Sequence, residues 1–281
     1  MKILLTGAKG QLGRCFQDRL PRDWQIWATD ADELDITDIE KVERAIKQFQ
    51  PDAIVNAAAY TAVDKAESEP ELAERINVTG PANLAIVAGK QQIRLVHVST
   101  DYVFDGKATQ PYSETSPTNP LSVYGKTKLA GEQAVTKVAL DAIIVRTAWV
   151  FSEYGNNFVK TMLRLAKERD TLSIVSDQRG CPTYAGDLAL AIIGLLEKKA
   201  ESGIYHYCGN KEVSWFEFAE EIFKVAEQKS IVAKIPTLKS ITTEQYPTPA
   251  HRPAFSTLAC EKIKGLGINL SGWEESLETT I

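Results

Sequence analysis

The sequence predicts an α/β fold: a doubly wound parallel sheet that carries a smaller, mostly C-terminal lobe. Three observations predict it. Short apolar runs alternate with amphipathic segments through the first two thirds of the chain, a glycine-rich turn follows the first run, and the alternation loosens after Thr147. Near-continuous apolar strands separated by helices suit a parallel sheet, because the crossover helices cover both faces of each strand. Lys2–Thr6 (K-I-L-L-T) is the first such strand, 11–20 the first helix and 24–29 the second strand. Residues 38–50 place Ile39, Val42, Ile46 and Phe49 on one helical face. Residues 53–56 are a third strand, and 69–92 read as one long helix with Gly80-Pro81 inside it. A strand over 95–99, a helix over 124–137 and a strand over 142–147 complete this part.

Beyond Thr147 the expected elements are helices over 157–169, 187–198 and 214–226, a short strand over 172–175 and a strand-like run over 203–207. Residues 237–253 read as an irregular tail rich in Thr and Pro. The 281 residues are 44% hydrophobic and 25% charged, globular proportions that exclude disordered, collagen-like and coiled-coil classes. Thirty-two Lys and Arg against 37 Asp and Glu leave a net charge of −5, with no basic excess to hold a polyanion, so nucleic acid is not an expected partner. Cys15, Cys181, Cys208 and Cys260 form no C-x-x-C pair and read as reduced thiols of a cytosolic protein. His97, His206 and His251 lack metal-ligand spacing, and no metal is expected. The longest uncharged stretch, 76–89, contains Asn, Thr, Pro and Gly and does not suit a membrane span; Ile3-Leu4-Leu5 is too short for a signal peptide. The expected location is the cytoplasm.

Gly7, Gly10 and Gly13 (T-G-A-K-G-Q-L-G) fall between the first strand and the first helix. Glycines there permit a tight turn and let backbone N–H groups approach a pyrophosphate at the helix N-terminus. Lys9, Gln11 and Leu12 share this loop. Asp30 closes the second strand, where a carboxylate can accept from adenosine ribose hydroxyls; the plainer reading is a solvated charge beside Asp32 and Glu33. Lys9 suits a 2′-phosphate, whereas Asp30 favours its absence, so the expected cofactor is NADPH with NADH also accepted. Asp35 and Ile36 are placed to flank the adenine, although Asp35 also reads as a helix N-terminal charge. The small residues from Ala57 to Ala59 leave room either for a dinucleotide or for tight helix packing. Ala58, Ala59, Tyr60, Thr61 and Val98 complete the expected cofactor set. The expected division is a Rossmann-type domain over 1–150, which also receives strand 171–176 and helix 187–198. Residues 151–281 then form mainly an interleaved substrate-binding lobe over the carboxyl ends of the strands.

Tyr124 and Lys128 (Y-G-K-T-K) are four apart at a helix start and project on one face. A phenol with its ordinary pKa near 10 is a poor acid–base group, and a cation one turn away is expected to lower it. Val98-Ser99-Thr100-Asp101 closes the fourth strand and brings hydroxyls to the same edge.

These residues resemble the extended short-chain dehydrogenase/reductase superfamily and, within it, the dTDP-4-dehydrorhamnose reductase family. The resemblance runs through N-A-A-A-Y-T-A-V-D-K-A-E at 56–67, V-S-T-D-Y-V-F-D-G at 98–106, Y-G-K-T-K at 124–128 and R-T-A-W-V at 146–150. It continues through G-N-N-F-V-K-T-M at 155–162, D-Q-R-G-C-P-T at 177–183 and Y-P-T-P-A-H-R-P at 246–253. It implies Thr100, Tyr124 and Lys128 as the catalytic set and a dTDP-sugar as substrate. Asp101, Trp149, Asn156, Asn157 and Arg252 are then implied on the substrate side, with Thr100 shared. Family dimers bridged by Mg²⁺ through carboxylates have no counterpart at Gly13-Arg14-Cys15 or Tyr184-Ala185-Gly186, which leaves a monomer or a metal-free homodimer expected. Two alternatives remain: a reductase of another 4-keto-6-deoxy sugar nucleotide, and a non-catalytic dinucleotide-binding regulatory subunit. The intact Thr100, Tyr124 and Lys128 argue against the second.

Overall fold

Alternating side chains on the first strands set up two cores. In the computed structural model, which describes residues 1–281, the chain runs β1 (Lys2–Thr6), α1 (Gln11–Asp18), β2 (Gln25–Thr29), α2 (Ile39–Phe49) and β3 (Ala53–Asn56). It continues through α3 (Val63–Ala66), α4 (Pro70–Glu74), a π turn (Arg75–Thr79), α5 (Gly80–Gln91), β4 (Arg94–Thr100), α6 (Val123–Val138) and β5 (Ile143–Thr147). Ile3 and Leu5 face one side of the sheet with Val55, Val96 and Val145, against Phe16 of α1. Leu4, Ile54, Leu95 and Ile144 face the other, against Val42 and Ile46 of α2, Leu84 of α5 and Val135 of α6. Each fully buried aliphatic side chain contributes about 1.5–3 kcal/mol relative to exposure. Asp38 caps α2 by accepting the Glu40 and Lys41 amides, and Ser122 caps α6 by accepting the Gly125 amide.

The second part runs β6 (Val150–Phe151), α7 (Phe158–Ala166), β7 (Thr171–Val175), β8 (Arg179–Gly180), β9 (Thr183–Tyr184), α8 (Ala185–Glu197) and β10 (Gly203–His206). It ends with β11 (Val213–Ser214), α9 (Trp215–Gln228), β12 (Thr237–Ile241), α10 (Glu261–Lys264) and α11 (Trp273–Thr280). The main sheet has six parallel strands in the order β10-β5-β4-β3-β1-β2. Strand order reverses at β1, so a crevice opens at the carboxyl ends of β1 and β3, where such sheets bind ligands. A third core joins Phe151, Val159, Ile174, Phe218, Ile222, Trp273 and Leu277 beside the sheet. No helix is long and apolar enough to cross a membrane.

Two expectations are corrected. Strand 171–176 does not enter the main sheet: β7 pairs with β12, and β10 supplies the sixth strand. The reason lies in T-L-S-I-V, whose Thr171 and Ser173 are exposed while Leu172 and Ile174 are buried, a one-faced pattern unsuited to a strand covered on both sides. The tail is accordingly not irregular throughout, since β12 lies in it. The expected helix over 69–92 is helical from Pro70 to Gln91 and carries a π turn at Arg75–Thr79. Pro81 has no N–H for the carbonyl one turn back, and the ladder loosens just before it. Helix α8 packs beside α1, with Leu188 and Ile192 in the core that includes Ile3.

Candidate active site

A cavity of about 920 Å³ opens at the carboxyl ends of the strands. Gly7, Lys9, Gly10, Gln11, Leu12, Gly13, Asp30, Asp35, Ile36, Ala58, Ala59, Thr61, Val98, Tyr124 and Lys128 line it, as do Thr100, Asp101, Trp149 and Asn156. Tyr60, Asn157 and Arg252 do not line it.

The glycine end is shaped by close approach. Gly7 has φ +73, and a Cβ there would lie 2.6 Å from the Ala58 nitrogen; one on Gly13 would lie 2.1 Å from the Gly7 carbonyl oxygen. No side chain caps α1, so its first N–H groups face the cavity as a cradle that fits a pyrophosphate. Asp30 accepts the Lys9 and Ala31 amides, each at 2.9 Å. Asp35 accepts the Thr37 amide and hydroxyl in a local turn, and the cap of α2 belongs to Asp38 instead. The Lys9 ammonium pairs with Asp32 at 2.5 Å and with Glu33 at 3.5 Å. Both partners are exposed, so a 2′-phosphate can compete for Lys9.

At the other end, Thr100 closes β4 opposite Thr147 of β5. Its hydroxyl donates to Asp101 Oδ1 at 2.9 Å and accepts the Tyr102 amide at 3.2 Å. The other carboxylate oxygen of Asp101 is buried without a partner. Burial pushes this carboxyl up to about 6, with the neighbouring Ser256 hydroxyl and the bond from Thr100 acting the other way. Lys128 Nζ donates to the Val98 carbonyl at 2.7 Å, and burial pulls the ammonium down to about 8, opposed by Glu132. Tyr124 stands at about 12: loss of hydration raises the phenol, and the Thr100 hydroxyl lowers it. The expected lowering of Tyr124 by Lys128 is therefore corrected: burial and the Asp101 carboxylate raise the phenol, and only the Thr100 hydroxyl acts the other way.

Beneath this set, Glu132 of α6 and Arg146 of β5 form a buried pair at 2.7 Å, and Ser99 donates to the same carboxylate. Asn77, in the π turn, accepts the Tyr60 amide and donates to Thr127, whose hydroxyl donates to the Tyr124 carbonyl. It thereby ties the loop after β3 to the first turn of α6. Sequence reading missed Glu132, Asn77 and Thr147, a buried hydroxyl without a partner on the cavity wall. A charge one turn past Lys128 and an Asn in an apolar helix were the available signals.

The residues off the cavity have other partners. Tyr60 donates to Glu69 at 2.7 Å. Asn157 caps α7 through the Lys160 amide and donates to Gln11 and to the Ser152 carbonyl. Arg252 grips both oxygens of Asp64 at 2.9 and 2.7 Å, so pairing with a diphosphate would first require Asp64 to release it. Trp149, on the cavity wall, has φ +49. Such a conformation costs a bulky residue about 1–3 kcal/mol and persists only where its surroundings enforce it.

A glycine-lined helix terminus at one end of the cavity and a Thr–Tyr–Lys set at the other define a nicotinamide-dependent oxidoreductase of the short-chain type. Comparison with known proteins gives the family: the model of the RmlD substrate binding domain matches residues 1–281, and the chain belongs to that family. It is 46% identical to a dTDP-4-dehydrorhamnose reductase of Aggregatibacter actinomycetemcomitans, covering 99% of this chain and 97% of that protein. A crystal structure of a dTDP-4-dehydrorhamnose reductase from Clostridium acetobutylicum superposes with a TM-score of 0.94 at 42% identity, covering 100% of this chain and 98% of that one. A Bacillus anthracis dTDP-4-dehydrorhamnose reductase, solved in complex with NADP, gives 0.93 at 39% identity over 99% and 98% of the two chains.

Proposed function

We propose that this chain reduces the C4 ketone of dTDP-4-dehydro-L-rhamnose to dTDP-L-rhamnose, the last step in making that sugar nucleotide for cell-surface polysaccharide. NADPH is the reductant, and NADH is accepted as well. The observation that carries the reading is the meeting of Thr100, Tyr124 and Lys128 in the same cavity as the glycine cradle.

When bound, the reduced nicotinamide supplies hydride to C4. The protein manages the oxygen. Tyr124 remains protonated throughout the neutral range and gives its proton to O4 as charge develops there. Thr100 turns its hydroxyl from Asp101 to the same oxygen, which stabilises the developing charge. Asp101 is then left as an acceptor for a sugar hydroxyl. Lys128, anchored on the Val98 carbonyl, presents its ammonium to the nicotinamide ribose and to Tyr124. Asp30 takes the adenosine ribose hydroxyls, and Lys9 leaves Asp32 when a 2′-phosphate is present. Trp149 and Asn156 border the sugar.

The test follows nicotinamide absorbance. NADPH oxidation should require dTDP-4-dehydro-L-rhamnose, and Tyr124→Phe should keep cofactor binding while losing most turnover. Unchanged turnover in that variant would overturn the assignment.

A further inference from the structure

We infer that Trp215 and Gly180 are positioning residues that clamp the Trp149 indole from the second lobe and fix the edge it presents to the sugar. The inference rests on the reading that Trp149 borders that sugar. Trp149 follows β5 in a left-handed conformation that an aromatic residue holds only under constraint. Its ring stacks on that of Trp215 with centroids 3.5 Å apart and planes 6° from parallel. Trp149 lines the cavity, whereas Trp215 does not, so Trp215 acts only through its neighbour.

Trp215 is itself fixed. It opens α9 directly after a capping box in which Ser214 and Glu217 satisfy each other's backbone amides. Its ring meets Phe158 at 4.7 Å, Phe158 meets Phe218 at 5.5 Å, and Phe218 meets Trp273 edge-on at 5.3 Å. A continuous aromatic series therefore runs from the cavity wall into the core of the second lobe.

Gly180 lies in β8, outside the left-handed backbone region, so no turn demands glycine there. Space demands it instead. A Cβ would lie 2.8 Å from both Cε2 and Nε1 of Trp149, and 2.8 Å from the Ser256 hydroxyl. With Trp215 stacked on the ring, the indole cannot yield without breaking that stack.

The test compares Trp149→Ala, Trp215→Leu, Trp215→Phe and Gly180→Ala by steady-state kinetics, cofactor titration and far-ultraviolet circular dichroism. A face-to-face indole pair rotated in plane gives a paired positive and negative band, recorded first in the unsubstituted protein. Gly180→Ala, which keeps both tryptophans, should weaken that signal and lose roughly 10- to 100-fold in kcat/KM for the sugar nucleotide, with cofactor affinity unchanged. Trp215→Leu should show the same kinetic loss, and Trp215→Phe should retain most activity because it preserves a stacking face. Full activity in both Gly180→Ala and Trp215→Leu, with Trp149→Ala impaired, would overturn the clamp and leave the Trp149 reading intact. Full activity in Trp149→Ala would remove that reading itself, and the clamp with it. A kinetic loss in Gly180→Ala with the band pair intact would also overturn the clamp, placing the effect at Ser256. Should Trp215→Leu fail to fold, Gly180→Ala and Trp215→Phe still decide the question.

Discussion

Replacing Asp101 by Asn should stabilise the protein at neutral pH while impairing it as a catalyst. The carboxyl is 2% exposed, one of its oxygens has no partner, and burial raises it from 3.8 to about 6. Between those values the folded protein binds a proton that the unfolded chain has released, so stability falls as pH rises through this window. At about 1.4 kcal/mol per pH unit, the full penalty on the ionised form is about 3 kcal/mol. Linkage places about half of it at pH 5 and nearly all of it at pH 7.5. Asn carries no such penalty and still offers an oxygen to Thr100. The advantage of Asp101→Asn in urea unfolding should therefore grow by about 1–2 kcal/mol between pH 5 and pH 7.5, whatever constant offset the amide introduces. In the same variant kcat/KM for the sugar nucleotide should fall, and its acid limb near pH 6 should disappear. A stability difference independent of pH would show that Asp101 titrates as an ordinary carboxylate and would refute the reasoning.

Four further outcomes follow from the site. Gly13→Ala places a Cβ 2.1 Å from the Gly7 carbonyl oxygen, and NADPH affinity by fluorescence titration should drop by more than about tenfold, with unchanged affinity counting against the cradle. With Lys128 held near 8, kcat/KM should decline above about pH 8 as the ammonium loses its proton; a profile flat to pH 10 would contradict that role. Glu132→Gln leaves the Arg146 guanidinium buried without its counter-charge and should cost about 3–5 kcal/mol in denaturant unfolding, whereas a near-neutral result would mean that the pair is dispensable. Asp30→Ala should weaken NADH more than NADPH, because Lys9 still serves the phosphorylated cofactor; equal losses would remove the basis for dual use.

The readable parts of this molecule depend on local spacing. Tyr124 and Lys128 are one helical turn apart, and a strand followed by three glycines and a helix leaves few alternatives for Gly7 to Gly13. The parts that spacing does not reveal depend on distant partners. Asn157 spends its amide on Gln11, and Arg252 spends its guanidinium on Asp64, contacts that span most of the chain and leave no mark in either segment. The sixth strand was harder still, since T-L-S-I-V and G-I-Y-H are both short runs; only the alternating exposure of the first separates them. The direction of the Tyr124 shift depended on how much water the fold removes, which spacing alone does not reveal. The stacking of Trp149 on Trp215 likewise involves a residue far along the chain, not its own neighbours in sequence.

The central claim is hydride delivery to C4 of one particular sugar nucleotide, and isotope transfer tests it most directly. The enzyme would be incubated with dTDP-4-dehydro-L-rhamnose and NADPH carrying deuterium at the transferred position, and the product examined by nuclear magnetic resonance. The predicted result is dTDP-L-rhamnose with deuterium at C4 and nowhere else on the sugar. A 6-deoxytalose product, or rhamnose without the label, would contradict the account.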